Sequence, residues 1–410
     1  MELVNTVGKA ALLDRARVVV AFLIGLTIPV SVSISEIFSV IGFLIVLLEW
    51  RPEASWKQLA ANPVAWAAVT LFAVLGLGTL YSAVPLPEAL RIWGKYRELL
   101  YLPLFMLLCR DSAARRAGLY GFLGAVVLIL AVGSTTLYPP LARLVGLVIG
   151  RVPFESAFGS YISEGMMVAL GTYFFAVEAV LRPERRKVFV ALAAWALLYG
   201  LFLNTGRTGY IVLVALAVIL LLQLAPRRFW LPGAAVVLAV AGTLMYLSPR
   251  MHERMAGVGQ ALQGEGSSYA STSAGARLQY LQLGGEAFLS HPVLGTGTGS
   301  FAATYATLAA QHDYPPAGNP HNEYVMIGVQ TGAVGLIALF GFFAVLWRTA
   351  GRLPTWDARR AQALTLAFVV ACLFNSLLLD HKDGHNFAFL VALFFSGVHR
   401  REDQHRHHDL

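Results

Sequence analysis

The chain has 410 residues, of which 57% are hydrophobic and only 13% charged, against roughly 45–50% and 25% in soluble domains. That balance excludes a soluble globular chain, and apolar runs of membrane-spanning length recur from end to end. The net charge of +8 does not point to nucleic acid, because the basic residues sit in short clusters between the apolar runs.

In chain order, the hydropathy pattern predicts helices over 18–33, 35–49, 63–82, 98–109, 117–134, 160–181, 187–204, 208–224, 229–247, 321–347, 362–379 and 385–399. This is an all-α polytopic membrane protein of about twelve transmembrane helices. Nine lie in 1–247 and three in 321–399, separated by one large loop, 248–320, and followed by a tail, 400–410. The first run, beginning after Arg17, lacks a small-residue cleavage site and reads as a retained helix. With the N-terminus in the cytoplasm, 21 of the 31 Lys and Arg residues fall in inner segments, so the positive-inside rule places both termini there. The other ten, Arg91, Lys95, Arg97, Arg143, Arg151, Arg207, Arg250, Arg254, Arg277 and Lys382, fall outside. A cation beside apolar helices on that side is costly unless an anion meets it, which makes these residues candidates for substrate contact.

Two outer segments stand apart. Residues 84–97 space Arg91 and Lys95 four apart among apolar residues, the pattern of an amphipathic helix lying at the interface. The loop 248–320 is long enough to carry function. Its stretch RLQYLQLGGEAFLSHP has helical spacing, closed by Pro292, and predicts at least one ordered extracytoplasmic helix. GTGTGSF at 295–301 lacks the Lys-Ser/Thr of a phosphate loop, so its glycines read as a tight turn that brings N–H groups near a partner. HKDGH at 381–385 has a metal-ligand spacing for a helix, but Gly384 and its place between two spans favour a loop without metal. His291 and His312 read as surface histidines, and Cys109 and Cys372 as buried thiols. The sharper constellation is Arg207 in NTGRTGY, Arg277 opening the loop helix, and His321 after Pro320. His321 is expected in the first turn of the following helix, where the dipole favours a neutral imidazole suited to a general base.

ARLQYLQLGGEAFLSHPVLGTGTGSF followed by PHNEYVMIGVQTGAVGLIAL, with the GRTG turn at 206–209, resembles the shared core of bacterial O-antigen ligases and polymerases. The resemblance implies a GT-C-like integral glycosyltransferase of the bacterial inner membrane with its active site facing the periplasm. The implied donor is an undecaprenyl-pyrophosphate-linked glycan, and in a ligase the acceptor is lipid A–core. It also implies His321 as base and Arg207 and Arg277 on the pyrophosphate, with no metal and no cofactor. Arg91, Lys95, Arg97, Asn322 and Tyr210 are the further candidates for substrate contact. Membrane lipids are expected partners and nucleic acid is not. An O-antigen polymerase or a protein O-oligosaccharyltransferase would share this pyrophosphate clamp, but the second outer segment, 135–160, is shorter and less basic than in polymerases. A secondary transporter is disfavoured because no two-fold hydropathy repeat is visible.

Overall fold

The structure, a computed structural model, describes residues 2–150, 153, 156–204, 206–247 and 273–398. Arg151, Arg250, Arg254, the Gly/Ser-rich start of the long loop and the histidine-rich tail lie outside the described residues.

Every regular element among the described residues is helical. The helices are α1 (Glu2–Thr27), α2 (Val32–Leu48), α3 (Pro52–Ala60), α4 (Pro63–Leu77), α5 (Leu86–Trp93), α6 (Glu98–Leu108), α7 (Ser112–Ser134), α8 (Pro139–Ile149) and α9 (Tyr161–Leu181). They continue with α10 (Arg186–Leu198), α11 (Arg207–Leu224), α12 (Trp230–Leu247), α13 (Ser273–Ser290), α14 (Phe301–Gln311), α15 (Glu323–Ala350), α16 (Thr355–Ala371) and α17 (His381–Phe395).

Among the described residues, six helical segments are long and apolar enough to cross a membrane: Pro63–Tyr81, Ser112–Leu137, Tyr161–Leu181, Pro183–Leu203, Arg207–Leu224 and Glu323–Ala350. The pair Val32–Leu48 and Pro52–Ala60, bent by 119°, makes a seventh if it counts as one span. Several predicted spans are short helices. α6 has 11 residues, α16 has 17 and α17 has 15, against about 20 for a bilayer crossing. α1 begins well before its apolar run, so Arg17 lies mid-helix, where it is buried and paired with Asp14, Glu49 and Asp111.

One large core joins α1, α2, α4, α6, α7, α9, α11 and α15–α17. A second, built from Leu283, Ala287, Phe301, Tyr305, Ala309, Met326 and Val329, packs the loop helices α13 and α14 onto the first half of α15. The helix predicted in the long loop is therefore present, and it is α13.

A break in α15 fixes this arrangement. Gly332 has φ 61° and ψ −153° inside the helix, a region open to glycine and strained for other residues. The break frees the carbonyls of Val329 and Gln330. The glycine turn after α13 satisfies them, with Thr296 N donating to Val329 O at 2.9 Å and Gly297 N to Gln330 O at 2.8 Å. Thr298 N donates to Gly78 O at 2.9 Å and Gly299 N to Gln330 Oε1 at 2.5 Å. The expected turn and its N–H partner are both found, the partner being a broken helix rather than an anion. Three of the four amides at 296–299 are committed to it and the fourth, Thr298 N, to Gly78 O, which leaves this turn no cradle for phosphate.

Candidate functional site

Four helices, α9, α11, α15 and α17, begin at one end of the bundle, and their N-terminal turns are tied to one another. Ser160, Asn322 and Asp380 cap α9, α15 and α17 through side-chain oxygens, and Gly206 occupies the cap position of α11. Converging N-termini leave N–H groups and partial positive charge facing a common space.

His321 does not lie in the first helical turn, as expected from the sequence. It precedes the cap, with φ 49°, because Asn322 takes the capping role, accepting from Val325 N at 3.0 Å. The backbone of His321 is held by Asn319, whose Oδ1 accepts from His321 N at 2.8 Å and from Ser376 Oγ at 2.8 Å. Its Nδ1 lies 3.4 Å from Asn375 Oδ1. Since that oxygen only accepts, Nδ1 carries the proton in this contact and Nε2 keeps its lone pair. Asn375 Nδ2 in turn faces Asp383 Oδ2 at 3.4 Å, and Ser163 Oγ donates to the same oxygen at 3.0 Å. A histidine, an amide and a buried carboxylate thus form a relay across α15, the loop before α17, and α17 itself. Nothing in the sequence ties Asn375 and Ser163 to His321, and Asp383, eight residues after Asn375, stands out there only as part of HKDGH.

Arg207 opens α11 after a turn built by Asn204. Asn204 Oδ1 accepts from Gly206 N at 2.7 Å, while its Nδ2 donates to Tyr161 O at 3.3 Å and faces Glu164 Oε1 at 3.5 Å. A β-carbon on Gly206 would stand 2.6 Å from that same Tyr161 carbonyl, so the turn before Arg207 requires glycine. Glu164, buried, also accepts from Tyr199 Oη at 2.6 Å and from Ala157 N at 2.7 Å. Arg277, on the first turns of α13, lies within electrostatic reach of Tyr161 and Tyr280, and burial lowers its pKa. The Tyr280 ring is 6.3 Å from that of His321. Tyr161 thus borders the turn before Arg207 and Tyr280 borders His321, and both lie within electrostatic reach of Arg277. Lys382, known from the sequence only as an outer cation, reaches the same region and donates to Phe158 O at 2.8 Å.

The remaining predicted residues separate. Tyr210 donates to the carbonyls of Leu201 and Asn204, both at 3.1 Å. Asn322, besides capping, donates to Leu373 O at 3.0 Å. Arg91 is exposed and pairs loosely with Glu88 at 3.8 Å, and Lys95 is exposed. Both stand on α5 and the turn after it, where the amphipathic segment was expected. Arg97 instead enters a cluster with Glu36, Glu98 and His381. The loop expected at HKDGH is the first turn of α17, because Asp380 caps it by accepting from Lys382 N and Asp383 N. Beside this turn Glu36, Glu98 and His385 bring metal-type donor atoms within 4.8 Å of one another. His291 and His312 are exposed and both cysteines buried, as expected.

Next to His321, between α13, α15 and α16, lies an apolar cavity of about 500 Å³ lined by Leu281, Phe288, Asn322, Val325, Phe340 and Val369 among others.

Residues 192–340 match the family model of O-antigen ligase. These residues carry an O-antigen ligase family domain. The ligase-family domain runs from α10 into α15 and contains Arg207, Tyr210, Arg277, His321 and Asn322, while Arg91, Lys95 and Arg97 lie before it. No curated protein matches the chain.

Proposed function

We propose that the protein is an O-antigen ligase, transferring a glycan from undecaprenyl pyrophosphate to a sugar hydroxyl of lipid A–core. The observation that supports this reading is that Arg207, Arg277 and His321 all fall inside the ligase-family domain, with Tyr161 beside the Arg207 turn, Tyr280 beside His321 and an apolar cavity lined by Asn322.

A lipid pyrophosphate places about two negative charges at the edge of hydrocarbon. Guanidinium groups suit it, because they bind phosphate oxygens bidentately and stay charged when partly buried. Arg207 at a helix N-terminus and the half-buried Arg277 supply that charge, and the cavity offers the polyprenyl chain an apolar wall. In the reaction the acceptor oxygen forms a bond to the anomeric carbon as the bond from that carbon to the pyrophosphate oxygen breaks. The acceptor proton passes to His321 Nε2, and the charge developing on the leaving group meets the two arginines. Asn375 and Asp383 hold the imidazole in the tautomer this step needs. The leaving group is good enough to depart without metal or cofactor chemistry.

In this reading the site faces the periplasm and both termini are cytoplasmic. With α1, α6, α12, α16 and α17 counted beside the seven candidate segments, the spans number about twelve.

The test is transfer in proteoliposomes, supplying undecaprenyl-pyrophosphate glycan with and without lipid A–core. Product on lipid A–core that falls by about 10²–10⁴-fold in His321→Ala is the expected result. Chain growth without lipid A–core makes the protein a polymerase, and no transfer at all by folded protein removes the reading.

A further inference from the structure

The HKDGH motif serves the reaction above only through Asp383. Its two histidines, His381 and His385, are four apart on the first turn of α17 and face α2 and α6, away from Asp383's contacts with Ser163 and Asn375. Glu98, at the start of α6, lies between them. Its Oε1 is 2.5 Å from His381 Nδ1 and its Oε2 is 2.8 Å from His385 Nδ1. Glu36 of α2 closes the group, with Oε1 2.6 Å from His381 Nε2.

Proton-mediated bonding does not exhaust these contacts. The Oε1 atoms of both Glu36 and Glu98 are buried without a hydrogen-bond partner, and Glu98 as a whole is 1% exposed. Glu36, Glu98 and His385 each bring one donor atom within 4.8 Å of the others, the spacing of ligands about a common point, while His381 bridges the two carboxylates through its opposite ring nitrogens. His385 is also oriented as a ligand is. Its Nε2 lies 2.9 Å from Ser39 Oγ, and the Tyr101 and Phe105 rings meet it edge-on, which leaves Nδ1 directed at Glu98. Arg97 stands at the rim, its Nη2 3.2 Å from His381 and 3.5 Å from Glu36 Oε1. With 42% of its side chain exposed, it can withdraw to solvent as a cation enters.

We propose that Glu36, Glu98 and His385 bind a divalent transition-metal ion that pins the first turn of α17 to α2 and α6. An imidazole with two carboxylates is a donor set of zinc-class ions rather than of calcium or magnesium, and two carboxylates neutralise the ion's charge. The ion takes no part in the transfer step. It braces the turn whose opposite side presents Lys382 and Asp383.

The test uses full-length protein with tail residues His399, His405, His407 and His408 replaced by alanine, so that the tail offers no competing ligands. Stripped protein is titrated with Zn²⁺, followed by metal analysis, and with Co²⁺, followed by visible absorption. The expected result is about one ion per chain with the ligand-field bands of a four-coordinate nitrogen and oxygen site, lost in Glu98→Gln and in His385→Gln. Ser39→Ala keeps every ligand and guards against a folding defect in the first two. It is expected to weaken Zn²⁺ binding by about 10-fold or more. No stoichiometric binding, or binding that all three substitutions leave unchanged, overturns the proposal. Because binding is read without the transfer assay, this outcome is independent of the function proposed above.

Discussion

At the scale of single residues, the relay behind His321 makes a sharp demand. Asn375 touches both the imidazole and Asp383, and removing its amide leaves Nδ1 without this acceptor. Asn375→Ala should lower kcat for transfer by about 10²-fold, the scale of a mispositioned base, while the KM for donor stays within about 2-fold. A loss in KM alone would show that Asn375 serves binding instead. Glu164 works on the other side of the site. Its carboxylate accepts from Tyr199, Ala157 and Asn204 together, and an amide in its place would set an N–H against one of these donors. Glu164→Gln should cost roughly 1–3 kcal/mol in stability and raise the donor KM through the displaced Arg207 turn, with kcat changed less. Thermal unfolding and initial rates on one preparation check both parts.

At the scale of elements, the helices were legible because an apolar run has few other options in a membrane protein, and α9, α11 and α15 begin within a few residues of the predicted points. Arg207, Arg277 and His321 stand out in the sequence because each lies at or near the start of a helix, where topology alone gives no reason for a cation or an imidazole. The break in α15 was not. QTGAVG reads as an uninterrupted transmembrane helix, and only the turn at 295–299, more than 30 residues earlier, explains why Gly332 leaves helical space. HKDGH was misread as a loop because Gly384 and the position between spans outweighed the capping Asp380. The buried carboxylates were equally hidden. Glu98, Glu164, Glu323 and Asp383 each sit in the first turn of a helix, which in sequence looks like exposed dipole compensation, yet all four are buried. The glycine turn yields its own prediction. A β-carbon at Gly332 would stand 2.4 Å from Val293 O, and one at Gly297 2.1 Å from Ser82 Cα, both at positive φ. Gly332→Ala and Gly297→Ala should each destabilise the protein by about 2 kcal/mol or more, visible as a lower unfolding temperature in detergent. A β-carbon at Gly94 or Gly318 meets nothing within 4 Å, and neither residue has a positive φ, so Gly318→Ala should leave that temperature unchanged.

At the scale of the whole molecule, the proposed reaction requires an orientation, since a site at the N-termini of α9, α11, α15 and α17 serves periplasmic substrates only if that end faces outward. The opposite end carries Arg182, Arg185, Arg186, Arg227, Arg228, Arg348 and Arg352, close to the far ends of the same helices, which is the charge asymmetry that keeps an end in the cytoplasm. Cysteine scanning reads this directly, because Cys109 and Cys372 are fully buried and give little background. A cysteine at the open position Gly318, in the turn leading to His321, should react in intact cells with a membrane-impermeant maleimide. One at the exposed Arg185, between α9 and α10, should react only after the inner membrane is opened. The reverse pattern would put the arginine and histidine site on the cytoplasmic side, where a glycan already displayed outside cannot reach it, and the ligase reading would fall even with the site intact. Reaction at both positions in intact cells would mean that α9 does not cross the bilayer. That result would remove the shared outer end from which the site is built, because the capped N-termini of α9 and α17 meet there through Ser163 and Asp383.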